Sequence, residues 1–459
     1  MINFLEPDGP TRAQLTELVV GYLNRWFEAA STMDAHAGEP NPETVEMLRR
    51  PPGEQGRPLE AILEDLTEAG RSGILHPSGG HMSYIPNAGL YTAALAEFLA
   101  AGLNRFTGVT QAAPGMVAIE KGVVDWICGL FDLGPASTGL LLSGGSLANF
   151  TGIVAARDAH LGDRLGDGVV YMTERTHHSA SKAARLAGFR PDQIVTVAVD
   201  ANLRMDPVSL RKRIVRDRSE GRTPALVVAS AGTTDTGTID PLEGIAEVAS
   251  SEGIWLHVDA AYGGFFLLTE RGRRALAGID RADSIALDPH KGLSIPFGVG
   301  AVVVRDEETL VEAHEGRGGY LAEDDTYMGL RDFSAVGPEL SRPFRGLAVW
   351  LPLHLHGIAP FRDALDHSLD LAEAAYERLR RMEGIDALWR PDLSIVAFRF
   401  EDDEKGKAAL GAVNRDRTVH LSPTTIDGRF VLRLAILNRR TTADHVDHAL
   451  DIIEKTLIG

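Results

Sequence analysis

Lys291 stands in Asp288-Pro289-His290-Lys291, directly after the apolar run Ser284-Ile285-Ala286-Leu287. Upstream, the strand-like Ile254-Trp255-Leu256-His257-Val258 ends in Asp259-Ala260-Ala261-Tyr262. Most lysines are solvated, so one that follows a buried strand beside a histidine asks for a reason. An amine attacks a carbonyl carbon only in its neutral form, which desolvation or cationic neighbours favour. An aspartate closing a buried strand has three readings: an ordinary strand-end acid, a metal-holding acid of the Walker-B kind, or a carboxylate that keeps a pyridine nitrogen protonated. The chain has no Gly-x-x-x-x-Gly-Lys-Ser/Thr to support the second. An imine-forming lysine together with an acid for a ring nitrogen are the two protein groups that pyridoxal phosphate (PLP) chemistry needs.

Three further motifs sit where strands give way to turns. Ser143-Gly144-Gly145-Ser146 follows Leu140-Leu141-Leu142 and opens a helical segment. Glycines let the backbone approach an anion, a helix start offers free N–H groups, and Ser146 adds a hydroxyl, which suits a phosphate monoester. An ordinary turn with a serine cap is the competing reading. His177-His178 follows Val169-Val170-Tyr171-Met172 and suits either stacking on a flat cofactor or capping a helix. Gly232-Thr233-Thr234 closes another strand, as a turn or as a source of hydroxyl contacts. His354 and His356 lack the acidic partners of a zinc motif and read as helix-packing residues, with no metal expected. The single cysteine, Cys128, lies in an apolar helical stretch and reads as core.

These residues need a frame that brings strand ends together. From Gly139 onward, short apolar runs at 140–142, 169–172, 194–199, 225–229, 254–258, 284–287 and 299–304 alternate with helical segments at 146–158, 207–218 and 241–251. That alternation predicts an α/β domain with a mostly parallel sheet sandwiched by helices, and ligands collect at the carboxyl ends of such strands. The first part reads as helices and loops, with helical periodicity at 14–30, 59–69, 90–103 and 115–132. After the sheet come a helical region at 343–383, strand-like runs at 394–400, 417–421 and 429–437, and helices at 405–414 and 442–456. We divide the chain into an N-terminal helical segment (1–85), a large α/β domain (86–345) and a small α+β domain (346–459).

Composition excludes several classes. With 46 Lys and Arg against 64 Asp and Glu, the net charge is −18, which argues against nucleic-acid or anionic-membrane surfaces. One cysteine rules out an intrachain disulfide, and the acidic, mixed N-terminus lacks signal-peptide order, so a cytoplasmic setting is expected. The most apolar stretch, Leu90 to Leu103, is short for a membrane span and contains Glu97.

In chain order, Ser143-Gly144-Gly145-Ser146, His177, Gly232-Thr233-Thr234, His257-Val258-Asp259-Ala260-Ala261-Tyr262 and Pro289-His290-Lys291 resemble the group II PLP-dependent decarboxylases of fold type I. That family includes aromatic-L-amino-acid and glutamate decarboxylases, and the resemblance runs from about residue 60 to the C-terminus. It implies that Lys291 binds the cofactor aldehyde and Asp259 its ring nitrogen, with Ala261 against the ring and His177 stacked on the opposite face. Gly145, Ser146 and His290 would hold the phosphate, with Thr234 near the cofactor. Tyr320, in Gly316-Arg317-Gly318-Gly319-Tyr320-Leu321-Ala322-Glu323, matches the family's mobile-loop tyrosine, which helps protonate the carbanion after CO2 leaves. Relatives with phenylalanine there tend toward oxidative deamination.

The chain departs from the family at four places. Leu147 replaces a usual glutamate, and Asp288 a frequent asparagine, where a carboxylate repels phosphate unless it is turned away or paired. Ile85, in Tyr84-Ile85-Pro86, and Gly108, in Phe106-Thr107-Gly108, replace aromatic wall residues. The substrate-pocket set is then His81, Tyr84, Ile85, Asn87, Phe106 and Gly108, with His81, Asn87 and Arg105 suited to a polar or acidic side chain. The expectation is a homodimeric PLP-dependent L-α-amino-acid decarboxylase acting on a free or carrier-tethered substrate, large aromatic ones disfavoured. Aminotransferase, lyase and decarboxylation-coupled oxidase chemistry share the fold and stand as alternatives, as does a catalytically silent scaffold.

Overall fold

The computed structural model describes residues 5–314 and 326–458. Seven strands form the central sheet: β1 (Thr138–Leu142), β2 (Gly168–Thr173), β3 (Ile194–Val197), β4 (Thr223–Ser230), β5 (Trp255–Asp259), β6 (Ser284–Leu287) and β7 (Gly300–Val304). Their spatial order is β1-β7-β6-β5-β4-β2-β3. Strands β6, β5, β4, β2 and β3 run parallel to one another, whereas β7 is antiparallel to both β6 and β1. The reason lies in the connections. Helices such as Pro207–Ser219 and Leu242–Glu252 carry the chain back across the sheet between parallel strands. Between β6 and β7 there is only the single turn Pro289–Gly292, so the chain returns antiparallel.

Both sheet faces are buried, and alternate residues of each strand feed opposite sides. Ala301 and Val303 join one apolar cluster, with helix Pro114–Leu130 and the segments around Phe265 and Phe266. Val302 and Val304 join the other, with helices Gly145–Leu161 and His178–Leu186. On β5, Leu256 and Val258 face the first cluster, while Trp255 packs in the second. Cys128 is core, as expected, and burial pushes its thiol up to about 11.

The C-terminal part carries a separate antiparallel sheet of Ile385–Trp389, Ile395–Phe400, Arg429–Ala435 and Ser422–Ile426, in that order. Two details differ from the sequence reading. The helical region is broken into Gly346–His356 and Ala359–Leu379 by Gly357, whose φ of +73° a glycine adopts freely. The strand-like run at 417–421 lies outside this sheet. There His420 pairs with the N-terminal segment, its N–H donating to Gly80 O at 2.9 Å and its carbonyl accepting from Met82 N–H at 3.0 Å. The strand Ile385–Trp389 and the helices Pro42–Leu48 and His178–Leu186 escaped sequence reading. Among the described residues, no helix is long and apolar enough to cross a membrane.

Candidate functional site

At the carboxyl-end rim of the parallel strands, the turns after β1, β2, β4, β5 and β6 enclose a cavity of about 290 Å³. Its lining includes Gly145, Ser146, His177, Thr234, Asp259, Ala261, His290 and Lys291. The structure therefore brings together every described residue of the expected cofactor and catalytic set. Tyr320 lies outside the described residues.

One end of the cavity is the start of helix Gly145–Leu161, where the first N–H groups have no intrahelical partner. The loop ahead of it is pressed close: a Cβ on Gly145 would lie 2.9 Å from Asp288 Oδ2 and 3.1 Å from Ala261 Cβ. Asp288 is buried and turns into the site, its Oδ2 2.9 Å from Lys291 Nζ and 3.6 Å from His290 Nε2. In the cofactor-free protein this carboxylate is paired with Lys291. Its Oδ1 is buried without a hydrogen-bond partner. His290 donates from Nδ1 to the Val299 carbonyl at 2.8 Å, and burial holds its imidazole below the usual range, against the pull of Asp288.

The other end is fully partnered. Asp259 Oδ1 accepts from Ala261 N at 3.1 Å and Oδ2 from Asn149 Nδ2 at 2.9 Å. His177 lines the cavity and caps helix His178–Leu186 by accepting from Ser179 N at 3.3 Å. Its Nδ1 thus acts as acceptor, leaving Nε2 to carry the proton of the neutral ring, and burial lowers its basicity. Thr234 sits on the β4 turn, where Arg433 donates to its carbonyl at 2.6 Å.

The expected substrate walls behave differently, since none of the six lines this cavity in the protomer. His81 is fully buried beside His76. Asn87 is committed to the backbone, donating to Ile295 O at 2.7 Å and accepting from Gly89 N at 2.8 Å. Ile85 packs on the main core, whereas Tyr84 and Phe106 are exposed. Gly108 is not a trimmed wall with free space in front of it: a Cβ there would lie 2.2 Å from the Leu340 carbonyl oxygen. Arg105 donates to Ala112 O at 2.8 Å. His354 and His356 are exposed rather than packed inward, the first stacked on Trp350 and the second 3.0 Å from Thr92 Oγ1.

Asn149 and Ser179, also in the lining, were not singled out from sequence. A signal existed for Asn149, a polar residue one turn into a helix, followed by the largely apolar Phe150 to Ala156. The residues fit PLP: hydroxyls, a histidine and a helix start at the phosphate end, a lysine amine in the cavity, and an anchored carboxylate at the far end.

A family model described as the pyridoxal-dependent decarboxylase conserved domain matches residues 45–401. The chain is 34% identical over 404 residues to an aromatic-L-amino-acid decarboxylase of Bacillus atrophaeus, covering 86% of this chain and 84% of that one. It is 32% identical to an L-2,4-diaminobutyrate decarboxylase of Rhizobium meliloti, covering 86% and 82%. Among solved structures it resembles Oryza sativa TDC with PLP and tryptamine, with a TM-score of 0.92, 25% identity and 99% of each chain covered.

Proposed function

Because the chain belongs to the family of pyridoxal-dependent decarboxylases, we propose that it converts an L-α-amino acid with a polar or modest-sized side chain, free or carrier-tethered, to the amine and CO2. At the coarser level it is a PLP-dependent amino-acid carboxy-lyase. The observation that carries the reading is the convergence of Lys291, Asp259 and His177 on one cavity.

Bound PLP supplies an electron sink for the pair released when the carboxyl group departs. Lys291 offers the amine that tethers the cofactor, and Asp288 holds that amine in place. Asp259, fixed at both oxygens, would hold the protonated ring nitrogen, with Ala261 against the ring. His177 would stack on the ring and present Nε2–H as a donor for substrate or product. Gly145, Ser146 and His290 bind the phosphate, and Thr234 adds a contact at the cofactor's edge. Tyr320 is assigned the proton delivery that completes the amine.

The preference against large aromatic substrates rests on Ile85 and Gly108 standing where aromatic-substrate relatives carry aromatic wall residues. A homodimer belongs to the same proposal. Tyr84 and Phe106 are exposed away from their own cavity and are suited to complete that of a second copy.

The test is a near-ultraviolet and visible spectrum of purified protein with PLP, taken while acidic, basic, aliphatic and aromatic L-amino acids are added, with CO2, amine, aldehyde and peroxide measured. A cofactor band that shifts with a non-aromatic class, with equal amine and CO2, is expected. Turnover of aromatic substrates alone overturns the specificity. Aldehyde with peroxide in place of amine overturns simple decarboxylation, and absence of a band overturns the cofactor reading.

A further inference from the structure

Trp255, His257 and Asp259 alternate along β5, so their side chains share one sheet face. His257 lies directly beside Ser284 of β6 in the strand register. Helix Gly145–Leu161 covers that face, and Asn149 reaches down to it. The contacts form one buried line. Trp255 Nε1 donates to Ser284 Oγ at 2.8 Å, Ser284 Oγ meets His257 Nδ1 at 2.7 Å, and His257 Nε2 meets Asn149 Oδ1 at 2.9 Å. There the line forks. Asn149 Nδ2 donates to Asp259 Oδ2 at 2.9 Å and to Ser179 Oγ at 3.0 Å, and Ser179 Oγ lies 2.8 Å from His177 Nδ1.

The ends fix the direction of every bond. An indole N–H only donates and an ionised carboxylate only accepts. Asn149 must therefore turn its amide nitrogen to Asp259, which leaves its oxygen for His257. His257 then carries its proton on Nε2 and accepts at Nδ1 from the Ser284 hydroxyl. Ser179, accepting from Asn149, spends its own proton on His177 Nδ1. Burial keeps the His257 imidazole well below its ordinary range, with Asp259 pulling the other way, which agrees with the neutral ring the pattern requires. Space is reserved for that ring, because a Cβ on Gly152 would lie 2.6 Å from His257 Cε1.

We infer that Asn149 and His257 are positioning residues: through a one-way hydrogen-bond chain, they orient Asp259 for the cofactor ring nitrogen and set the Nε2–H tautomer of His177 on the cofactor's face. The inference rests on the proposed roles of Asp259 and His177. One amide, Asn149, thereby couples the two groups assigned to different parts of the ring, and a disturbance at His257 reaches both.

The test begins on the unmodified full chain. Nitrogen-15 NMR of labelled histidines, without and with PLP, reads ring tautomers directly. Nε2–H on both His257 and His177 is expected, and Nδ1–H or an imidazolium at His257 near neutral pH overturns the chain. The second arm compares His257→Gln with His257→Asn. A glutamine amide reaches the Nε2 position and restores the donor to Asn149, whereas an asparagine amide reaches only the Ser284 side. PLP affinity by absorbance titration is expected to fall about tenfold or more in His257→Asn, as for a lost hydrogen bond to a charged partner, and to stay within about threefold of wild type in His257→Gln. In His257→Asn the His177 signal is also expected to lose its single-tautomer pattern. Equal affinities and an unchanged His177 signal in both variants overturn the inference, which reduces these residues to packing. If the variants do not fold, the wild-type tautomers decide alone. If wild-type protein binds no PLP, the cofactor reading fails, while the NMR pattern still judges the chain.

Discussion

The two ends of what sequence reading treats as one site are built by different means. Asp259, His177, Thr234 and Lys291 hang on the ends of buried parallel strands or the turns just beyond them, and every described member of that group meets in one cavity. His81, Tyr84, Ile85, Asn87, Phe106 and Gly108 come from irregular segments on either side of helix Tyr91–Leu103, and none reaches the cavity of its own protomer. Strand ends have little freedom: their direction follows from the sheet, and the sheet from its apolar periodicity. Irregular segments take their position from whatever they dock on, here the C-terminal part and the main core. The chemistry is thus attached to the sheet, and the expected selectivity to irregular segments that do not reach the cavity of their own protomer.

The largest effects belong at the strand ends. Lys291→Ala is expected to remove the visible cofactor band and to lower kcat by about 10³-fold or more, measured with the preferred amino acid. Asp259→Asn keeps the shape and loses the charge opposite the ring nitrogen, with kcat expected to drop by about 10²-fold or more. Wild-type turnover in either variant would break the contrast at its stronger end. Asp288→Asn sharpens it. Releasing Lys291 from its buried partner should lower the stability of cofactor-free protein by about 2 kcal/mol, the partly exposed lysine moderating the loss, while removing a carboxylate beside the phosphate loop should tighten PLP binding. Thermal unfolding without cofactor and PLP titration read the two effects separately. At the irregular end, Gly108→Ala drives a methyl group into the Leu340 carbonyl and should cost about 2 kcal/mol in denaturant unfolding. An unchanged midpoint with an altered KM would instead restore Gly108 as an open pocket wall.

The same contrast explains what the sequence discloses. Asp259 and Lys291 are legible because each follows a short apolar run whose period and length mark a buried strand, so their placement needs no tertiary knowledge. The glycine-rich Ser143–Ser146 loop is legible because strand, glycines and helix occur in a fixed order. His257 hides inside such a run, where a histidine two residues before Asp259 must share its face, a period-2 signal available without a structure. Asn149 is harder, since nothing local shows that its helix lies across β5 and β6. The strand-like 417–421 illustrates the opposite failure: its alternation is real, but the partner is the distant Gly80–Met82 backbone, which local periodicity does not encode. Asp288 needed the fold as well, because neither its burial nor its pairing with Lys291 follows from local sequence.

The finest distinction concerns His81, expected as a pocket residue and found sealed in the interior. Among the described residues neither ring nitrogen has a hydrogen-bond partner, His76 lies edge-on at 4.7 Å, and His420 bridges its backbone. Burial, reinforced by His76 and His420, pushes its imidazole down from 6.5 to about 3. The unfolded chain therefore binds a proton near pH 6.5 that the folded chain refuses until about pH 3. Above that window His81 leaves stability independent of pH. As pH falls through it, stability declines by up to about 1.4 kcal/mol per pH unit from this one group. His420, held at about 4 by burial, adds to the same slope over a narrower range. His81→Phe keeps the ring shape and removes two unsatisfied nitrogens, so it should be near neutral in stability at pH 7 and flatten the acid limb by about one proton, leaving the share of His420. KM should not move, because the side chain is buried outside the cavity lining. Denaturant unfolding from pH 7 to pH 4 measures the slope. A steep limb unchanged in the variant would place the titrating group elsewhere, and a raised KM with unaltered stability would return His81 to the substrate wall.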